Sequence, residues 1–237
     1  MNKIPKVFAV IPARGGSKRL PRKNITPVAG HPMVAYTIMA AKGAKLITDW
    51  LVSSEDDEII KIAKEYDAPV PFIRPLELAT DEVRNIDVTL HALEWMENEK
   101  GYQYDLIVLL QPTSPIRSSE HIDDAIDRLW SSNLDSLAAV KGPFQKRDPV
   151  LKRINEDGEM VAYCSDPNLD AKEPFYIYNA ALYAVKRDYF VKEKRFTADR
   201  QIPLIMDKYH STDVDEQADL IVAEEYLKVL KANKEEE

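Results

Sequence analysis

A single cysteine, Cys164, in 237 residues excludes a disulfide framework and a four-cysteine metal site, and a reducing compartment is the default for such a chain. Long apolar runs are missing as well. The stretch Val7 to Ile11 closes at Pro12, too short for a signal-peptide core or a membrane span, so no membrane partner is expected and the cytoplasm is the expected location. Net basicity is absent: the formal charge of -8 argues against a nucleic-acid partner, and no aromatic residues interleave with the cations as a strand-binding groove would need. Neither the Gly-x-x-x-x-Gly-Lys-Ser/Thr loop nor the Gly-x-Gly-x-x-Gly fingerprint occurs. The four histidines, His31, His91, His121 and His210, have no mutual spacing of a triad or a zinc site, and His31 in "AGHPM" reads as a turn residue before a helix.

What is there is ordinary in bulk and uneven in place. Hydrophobic residues at 45% and charged residues at 30% suit one globular domain over residues 1–237, long enough to bury a sizeable core. Apolar runs alternate with helical patterns. "KVFAVI" reads as a first strand, residues 32–44 as a helix, "WLVSS" as a strand and "EDDEIIKIAKEY" as a helix. A helix over 86–98, the buried strand "DLIVLLQ", a helix over "SSEHIDDAIDRLW" and a strand "SLAAV" follow, the helix with a capping box on Ser118 or Ser119 and the Glu behind them. Continuous apolar strands alternating with helices predict an α/β fold, a mainly parallel twisted sheet with helices on both faces. The rhythm breaks over 141–177, where "VLKRINEDGEMVAY" predicts a hairpin turning at Asp157-Gly158, then resumes with "AALYAV" and the closing amphipathic helix "DEQADLIVAEEYLKVL". Such an excursion suits a lid, a dimer arm or a plain loop.

Positive charge is concentrated in "VIPARGGSKRLPRKN", where Arg14, Lys18, Arg19, Arg22 and Lys23 surround Gly15-Gly16 with no acid among the fifteen residues. The loop after the first strand of a parallel sheet is a favoured ligand site, glycines let backbone N–H groups approach an anion, and several spread cations suit a triphosphate. A basic run is also what a solvated surface loop carries; the preceding strand and the internal Gly pair favour the anion. Asp213 and Asp215, two apart in what reads as a short strand, point the same way and suit magnesium, and equally suit the N-terminus of the helix after them. "LLQPTSPIR" leaves a buried strand with Gln111, Thr113, Ser114 and Arg117, donors fit for sugar hydroxyls and, at Arg117, a carboxylate.

"IPARGGSKRLPRKN" closely resembles the signature of the acylneuraminate cytidylyltransferases, the CMP-sialic acid and CMP-nonulosonate synthetases. "RPLELATD" at 74–81, "LQPTSPIR" at 110–117, Tyr-Asn-Ala at 178–180 and "STDVDEQADL" at 211–220 follow in that family's order, so the resemblance covers nearly the whole chain. It implies a nucleotide-diphospho-sugar transferase-like fold and an enzyme that joins CMP from CTP to a sialic-type sugar acid with magnesium, releasing pyrophosphate. By resemblance, Arg14, Ser17, Lys18 and Lys23 hold phosphates, Lys23 steadies the transition state, Asn24 meets the ribose, Arg74 and Asn85 lie near the cytosine, Asp213 and Asp215 hold the metal, and Asn179 belongs to the sugar side. It also implies a homodimer whose 141–177 arm reaches over the partner's site.

Three departures stand out. Arg19 replaces a common glycine, Asn85 stands where small hydroxyl residues are common, and "DPNLDAKEPFYIYNAALY" has Ala180 for Gly and no evident Arg-Gln pair before it. The sugar acid is therefore open: Neu5Ac, legionaminic, pseudaminic, Kdo or a phosphonate. A non-catalytic nucleotide sensor could keep the basic loop, but it would not need Asp213 and Asp215.

Overall fold

In a computed structural model, residues 4–144, 152–154, 156–162 and 174–235 are described. Part of the 141–177 excursion lies outside them, including Cys164 and the basic residues Lys146 and Arg147 that the expected arm would bring to a partner.

Six strands form the central sheet: β1 (Val7–Pro12), β2 (Asp49–Ser53), β3 (Leu106–Leu110), β4 (Ser136–Phe144), β5 (Phe175–Lys186) and β6 (Ile202–Met206). Their spatial order is β6-β4-β5-β3-β1-β2. β1 runs parallel to β2 and β3, and β4 parallel to β6, whereas β5 is antiparallel to both β3 and β4. The resumed strand thus joins a mainly parallel sheet in the opposite sense. Among the described residues between β4 and β5 there is a hairpin and no helix, and a strand that returns beside its predecessor without a helical crossover comes back antiparallel.

Among the described residues six α-helices complete the layers: α1 (Met33–Gly43), α2 (Asp57–Glu65), α3 (Asn85–Lys100), α4 (Ser119–Trp130), α5 (Arg187–Glu193) and α6 (Gln217–Glu235). β1 shows why both faces are covered. Val7, Ala9 and Ile11 join a core with Val34 and Ile38 of α1, Ile59 of α2 and Ile122 and Ile126 of α4. Phe8 and Val10 point the other way, into a core with Ala92, Leu93 and Met96 of α3 and Phe190 of α5. A third, smaller core brings Leu20 of the basic loop against Val214 and against Leu220 and Ala223 of α6.

The hairpin in the excursion forms as expected, with Lys152–Ile154 paired antiparallel to Met160–Ala162 and Gly158 in the left-handed region at φ 82°. Two local expectations are corrected. Asp213 and Asp215 lie in an irregular segment and not a strand, tied to the body by the Val214 N–H donating to the Thr113 carbonyl at 2.8 Å. The capping box of α4 uses Ser118 with His121, whose Nδ1 accepts from the Ser118 N–H at 3.2 Å, in place of a Glu.

Candidate active site

The basic loop owes its shape to backbone bonds and to acidic neighbours. The Ala13 N–H donates to the Ser53 carbonyl at 3.0 Å and the Gly15 N–H to Glu55 Oε1 at 2.8 Å. Gly15 is required here: a Cβ built on it would stand 2.8 Å from Asp56 Cγ. The chain then turns through Arg22, left-handed at φ 57°, and the buried Asn24 donates from Nδ2 to the Arg14 carbonyl at 2.9 Å, closing the loop on itself. Arg22 pairs with Asp56 and Glu58, the cap and first turn of α2, and so belongs to the scaffold.

Inside this frame lies a cleft of about 580 Å³, a volume suited to a nucleotide. Arg14, Ser17, Lys18, Lys23, Asn24, Arg74, Asn85, Gln111 and Thr113 all line it, so the residues singled out for phosphate, ribose and base share one wall system with the first two of the strand-end donors. Arg74 is buried and bonded to Glu55, with a further contact to the Ala13 carbonyl at 3.4 Å. The other cations meet carboxylates on the cleft wall and at its edge. Arg14 and Lys18 each lie 2.6 Å from Asp81, on opposite oxygens of one carboxylate. Lys23 lies 2.9 Å from Asp215 and also donates to the Val214 carbonyl at 2.9 Å, while Arg19 takes the second Asp215 oxygen at 2.9 Å.

The two carboxylates of the "STDVDE" segment therefore differ. Burial pushes the Asp213 carboxyl above the ordinary aspartate value and the Asp215 charge adds to that, against a hydrogen bond from Thr113; its Oδ1 is buried without a hydrogen-bond partner. Asp215 is also penalised by burial, but the Lys23 hydrogen bond and the charges of Lys23 and Arg19 outweigh it and hold its carboxyl below the ordinary value. One buried unpaired carboxylate oxygen beside a second carboxylate is a donor set that fits a hard divalent cation such as magnesium, which takes one or two carboxylates and completes its shell with water and phosphate. Among the described residues no cluster of three or more acids, histidines or cysteines offers a fuller metal cage.

Ser114, Arg117 and Asn179 are not brought to the cleft wall; they lie in a buried layer behind it. Arg117 is 2% exposed and donates to the carbonyls of Gln111 at 3.2 Å and Ala181 at 2.6 Å, and loss of water pushes its guanidinium down to about 9. Asn179 donates to Ser211 Oγ at 3.0 Å and accepts from the Ala181 N–H at 3.1 Å, across an irregularity in β5 at which Ala180 adopts φ 61°.

Sequence reading missed two groups. Glu55 and Asp81 brace and neutralise the cations; Asp81 was quoted within "RPLELATD", and its sign opposite to the loop was the available signal. A side pocket of about 380 Å³ opens beside the cleft and shares Arg84, Asn85 and Gln111 with it. Its remaining wall includes Tyr178, Tyr183, Phe196 and Arg195, brought together from β5 and the segment after α5, which no local pattern announces.

The cytidylyltransferase family model matches residues 8–235. The chain is 30% identical to a CMP-N,N'-diacetyllegionaminic acid synthase of Legionella pneumophila, over 94% of this chain and 97% of that protein. It is 31% identical to the post-translational flagellin modification protein B of Campylobacter coli, over 95% and 96%. An N-acylneuraminate cytidylyltransferase of Escherichia coli is 30% identical over 92% of this chain but only 51% of its own length. Among solved structures, a CMP:2-keto-3-deoxy-manno-octonic acid synthetase complexed with CTP has a TM-score of 0.67 at 17% identity, over 97% of this chain and 99% of that one. A 4-diphosphocytidyl-2C-methyl-D-erythritol synthase from Anaerococcus prevotii scores 0.66 at 17% identity, over 95% and 100%.

Proposed function

Because this chain belongs to the cytidylyltransferase family, we propose that it transfers CMP from CTP to the anomeric hydroxyl of a nonulosonic, sialic-type sugar acid. One observation carries the reading: the cations of the basic loop and two strand-end donors line one nucleotide-sized cleft, with Asp215 held against its Lys23 and Arg19 and an aromatic pocket opening beside it. The anomeric oxygen forms a bond to the α-phosphorus, the bond from that phosphorus to the bridging oxygen breaks, and pyrophosphate departs while the hydroxyl proton is lost. Such a step asks for positioning and charge neutralisation above all.

Arg14, Ser17 and Lys18 hold the phosphates. Lys23, tied to the Val214 carbonyl and Asp215, keeps its ammonium fixed where charge develops on the α-phosphate, so no reorganisation is needed as the bond breaks. Asn24 faces the ribose, and Arg74 and Asn85 the base. Asp213 and Asp215 would hold magnesium, which when bound neutralises phosphate oxygens. Gln111, which lines both cavities, and Thr113 on the cleft wall orient the sugar. The side pocket supports the acid reading: its lining combines Tyr178, Tyr183 and Phe196, faces for an acyl or deoxy substituent, with the guanidiniums of Arg84 and Arg195 for a carboxylate. The names of the matched relatives favour a legionaminic- or sialic-type acid.

Pyrophosphate release measured over four nucleoside triphosphates and a panel of sugar acids tests this. Turnover with CTP and magnesium, and little with ATP or GTP, is expected; equal turnover of all four nucleotides overturns it. Turnover confined to Kdo or a phosphonate moves the reading to another acid, and CTP binding without turnover moves it to a sensor.

A homodimer belongs to the same proposal. Ile154 and Met160 on the hairpin and Tyr176 and Ile177 on the outer part of β5 are exposed, and a two-stranded ribbon alone is marginal in water, so a second copy is the partner that covers them. Sedimentation of the full chain should give a dimer, and a fully active monomer excludes one. Among the described residues no helix is long and apolar enough to cross a membrane.

A further inference from the structure

The segment 75–84 crosses from the buried Arg74 to the start of α3, and its own backbone bonds are local: Leu78 N–H to Pro75 carbonyl at 2.9 Å, Ala79 to Leu76 at 3.0 Å and Val83 to Thr80 at 3.4 Å. Leu76 is exposed and lends it no packing. Among the described residues, what ties this strap to the basic loop is the Asp81 carboxylate, whose two oxygens each meet a cation, Arg14 and Lys18, at 2.6 Å. All three side chains line the nucleotide cleft. Two of the groups proposed to hold phosphate are therefore already paired with a carboxylate of the chain itself.

We propose that Asp81 is an internal counter-ion that the triphosphate displaces, and that its return to Arg14 and Lys18 helps expel pyrophosphate at the end of the cycle. The inference rests on the reading that the cleft takes a nucleoside triphosphate. A carboxylate and a phosphate on the same two cations repel each other, so anion entry must detach Asp81 and with it the strap. The exchange is permitted because both pairs reach solvent, with side-chain exposures of 35% for Arg14, 82% for Lys18 and 39% for Asp81, and ion pairs of that kind are weak. A buried pair would have locked the site. Without Asp81, Arg14 and Lys18 would face each other unneutralised and would hold any polyphosphate more tightly, product included. Asp81 is a positioning residue: it sets how readily the phosphate sites empty and makes no contact with the reacting atoms.

Titration calorimetry with inorganic tripolyphosphate and with pyrophosphate tests this on the wild-type chain, Asp81→Asn, Asp81→Glu and a control, Asp67→Asn. Asp67 pairs with Lys42 on the surface and is absent from the cleft lining. Asp81→Asn should bind both anions about tenfold more tightly, the scale expected for removing two partly exposed ion pairs. Asp81→Glu, which keeps the charge, should stay near wild type, and Asp67→Asn should not change. In turnover with CTP, Asp81→Asn should show a lower KM, a lower kcat and stronger inhibition by pyrophosphate. Unchanged or weaker binding of both anions by an Asp81→Asn chain with wild-type melting overturns the proposal, since Asp81 would then only hold Arg14 and Lys18 in place. If Asp81→Asn melts early, Asp81→Ala is read in its stead by the same criterion. Tighter tripolyphosphate binding in a chain that turns over no CTP would sink the cytidylyl-transfer reading and leave this one standing.

Discussion

Arg14 and Arg117 are two guanidiniums at the same end of one sheet with opposite circumstances. Arg14 is 35% exposed and shares the carboxylate of Asp81 with Lys18. Arg117 is buried and bonded to two backbone carbonyls, and among the described residues no carboxylate pairs with it and its Nε and NH2 groups have no hydrogen-bond partner. The difference separates two uses of charge. At Arg14, Lys18 and Arg19 of the cleft, the cations are paired with acids that water can reach, which an incoming anion could replace. Behind the cleft, charge and amide groups cross-link β3, β5 and the turn before Asp213, and nothing there is exchangeable. Asn179, Ser211 and Arg117 thereby hold the floor on which Gln111, Thr113 and Asp213 stand.

The sharpest way to break this comparison is at Asp213, a buried carboxylate two residues from the Asp215 that pairs with Lys23 of the cleft wall. Asp213→Asn should lower kcat by at least about 100-fold, the scale seen when one preorganised charge is removed from a transition state. Yet the same change should stabilise the empty protein. The folded carboxyl titrates above its unfolded value, so its burial is a penalty present at neutral pH and relieved as pH falls through the folded pKa. A neutral amide removes the penalty, and melting at pH 7.5 should rise by about 2–4 °C per kcal/mol relieved, with the gain shrinking toward pH 4. A variant that melts no higher than wild type at neutral pH would show the carboxylate to be satisfied in the fold.

The second test is Arg117→Ala. It should cost about 2–4 kcal/mol in urea unfolding, from the cavity left behind and from the carbonyls of Gln111 and Ala181 losing a donor, while the folded fraction keeps its CTP affinity. A loss of CTP affinity with unchanged stability would instead move Arg117 into the ligand site. The smallest effect is at Ala180. A non-glycine residue at φ 61° costs about 1–2 kcal/mol, so Ala180→Gly should raise the melting temperature by a few degrees without altering turnover. A lower melting temperature would mean that the methyl group packs usefully where it stands.

Much of the strand and helix order was legible because periodicity is a local property. Within "KVFAVI" and "DLIVLLQ" the runs Val7–Ile11 and Leu106–Leu110 are apolar throughout because both faces of β1 and β3 are covered, and each helix pattern formed within a few residues of its expected ends. The antiparallel sense of β5 was not legible, since an apolar strand reads alike in either direction. Asp213 and Asp215 look like alternate strand residues in sequence, but their segment is held by one ladder-like bond to Thr113, by Lys23 and Arg19 of the basic loop and by the Leu20–Val214 contact of a small third core. The cleft side of the site was legible from "ARGGSKRLPRKN" because its residues are consecutive. The side pocket was not, because Arg84, Tyr178, Tyr183 and Arg195 are distant in the chain and ordinary in their own surroundings.

By itself, then, the sequence determined the alternation of elements, the concentration of positive charge after the first strand, and the family to which the chain belongs, since each is written in neighbouring residues or in the order of motifs. Only the tertiary structure decided how that charge is balanced. Whether a cation meets Asp81, Asp215 or a pair of carbonyls depends on which distant segments the sheet brings within about 3 Å, the range over which ion pairs and hydrogen bonds act.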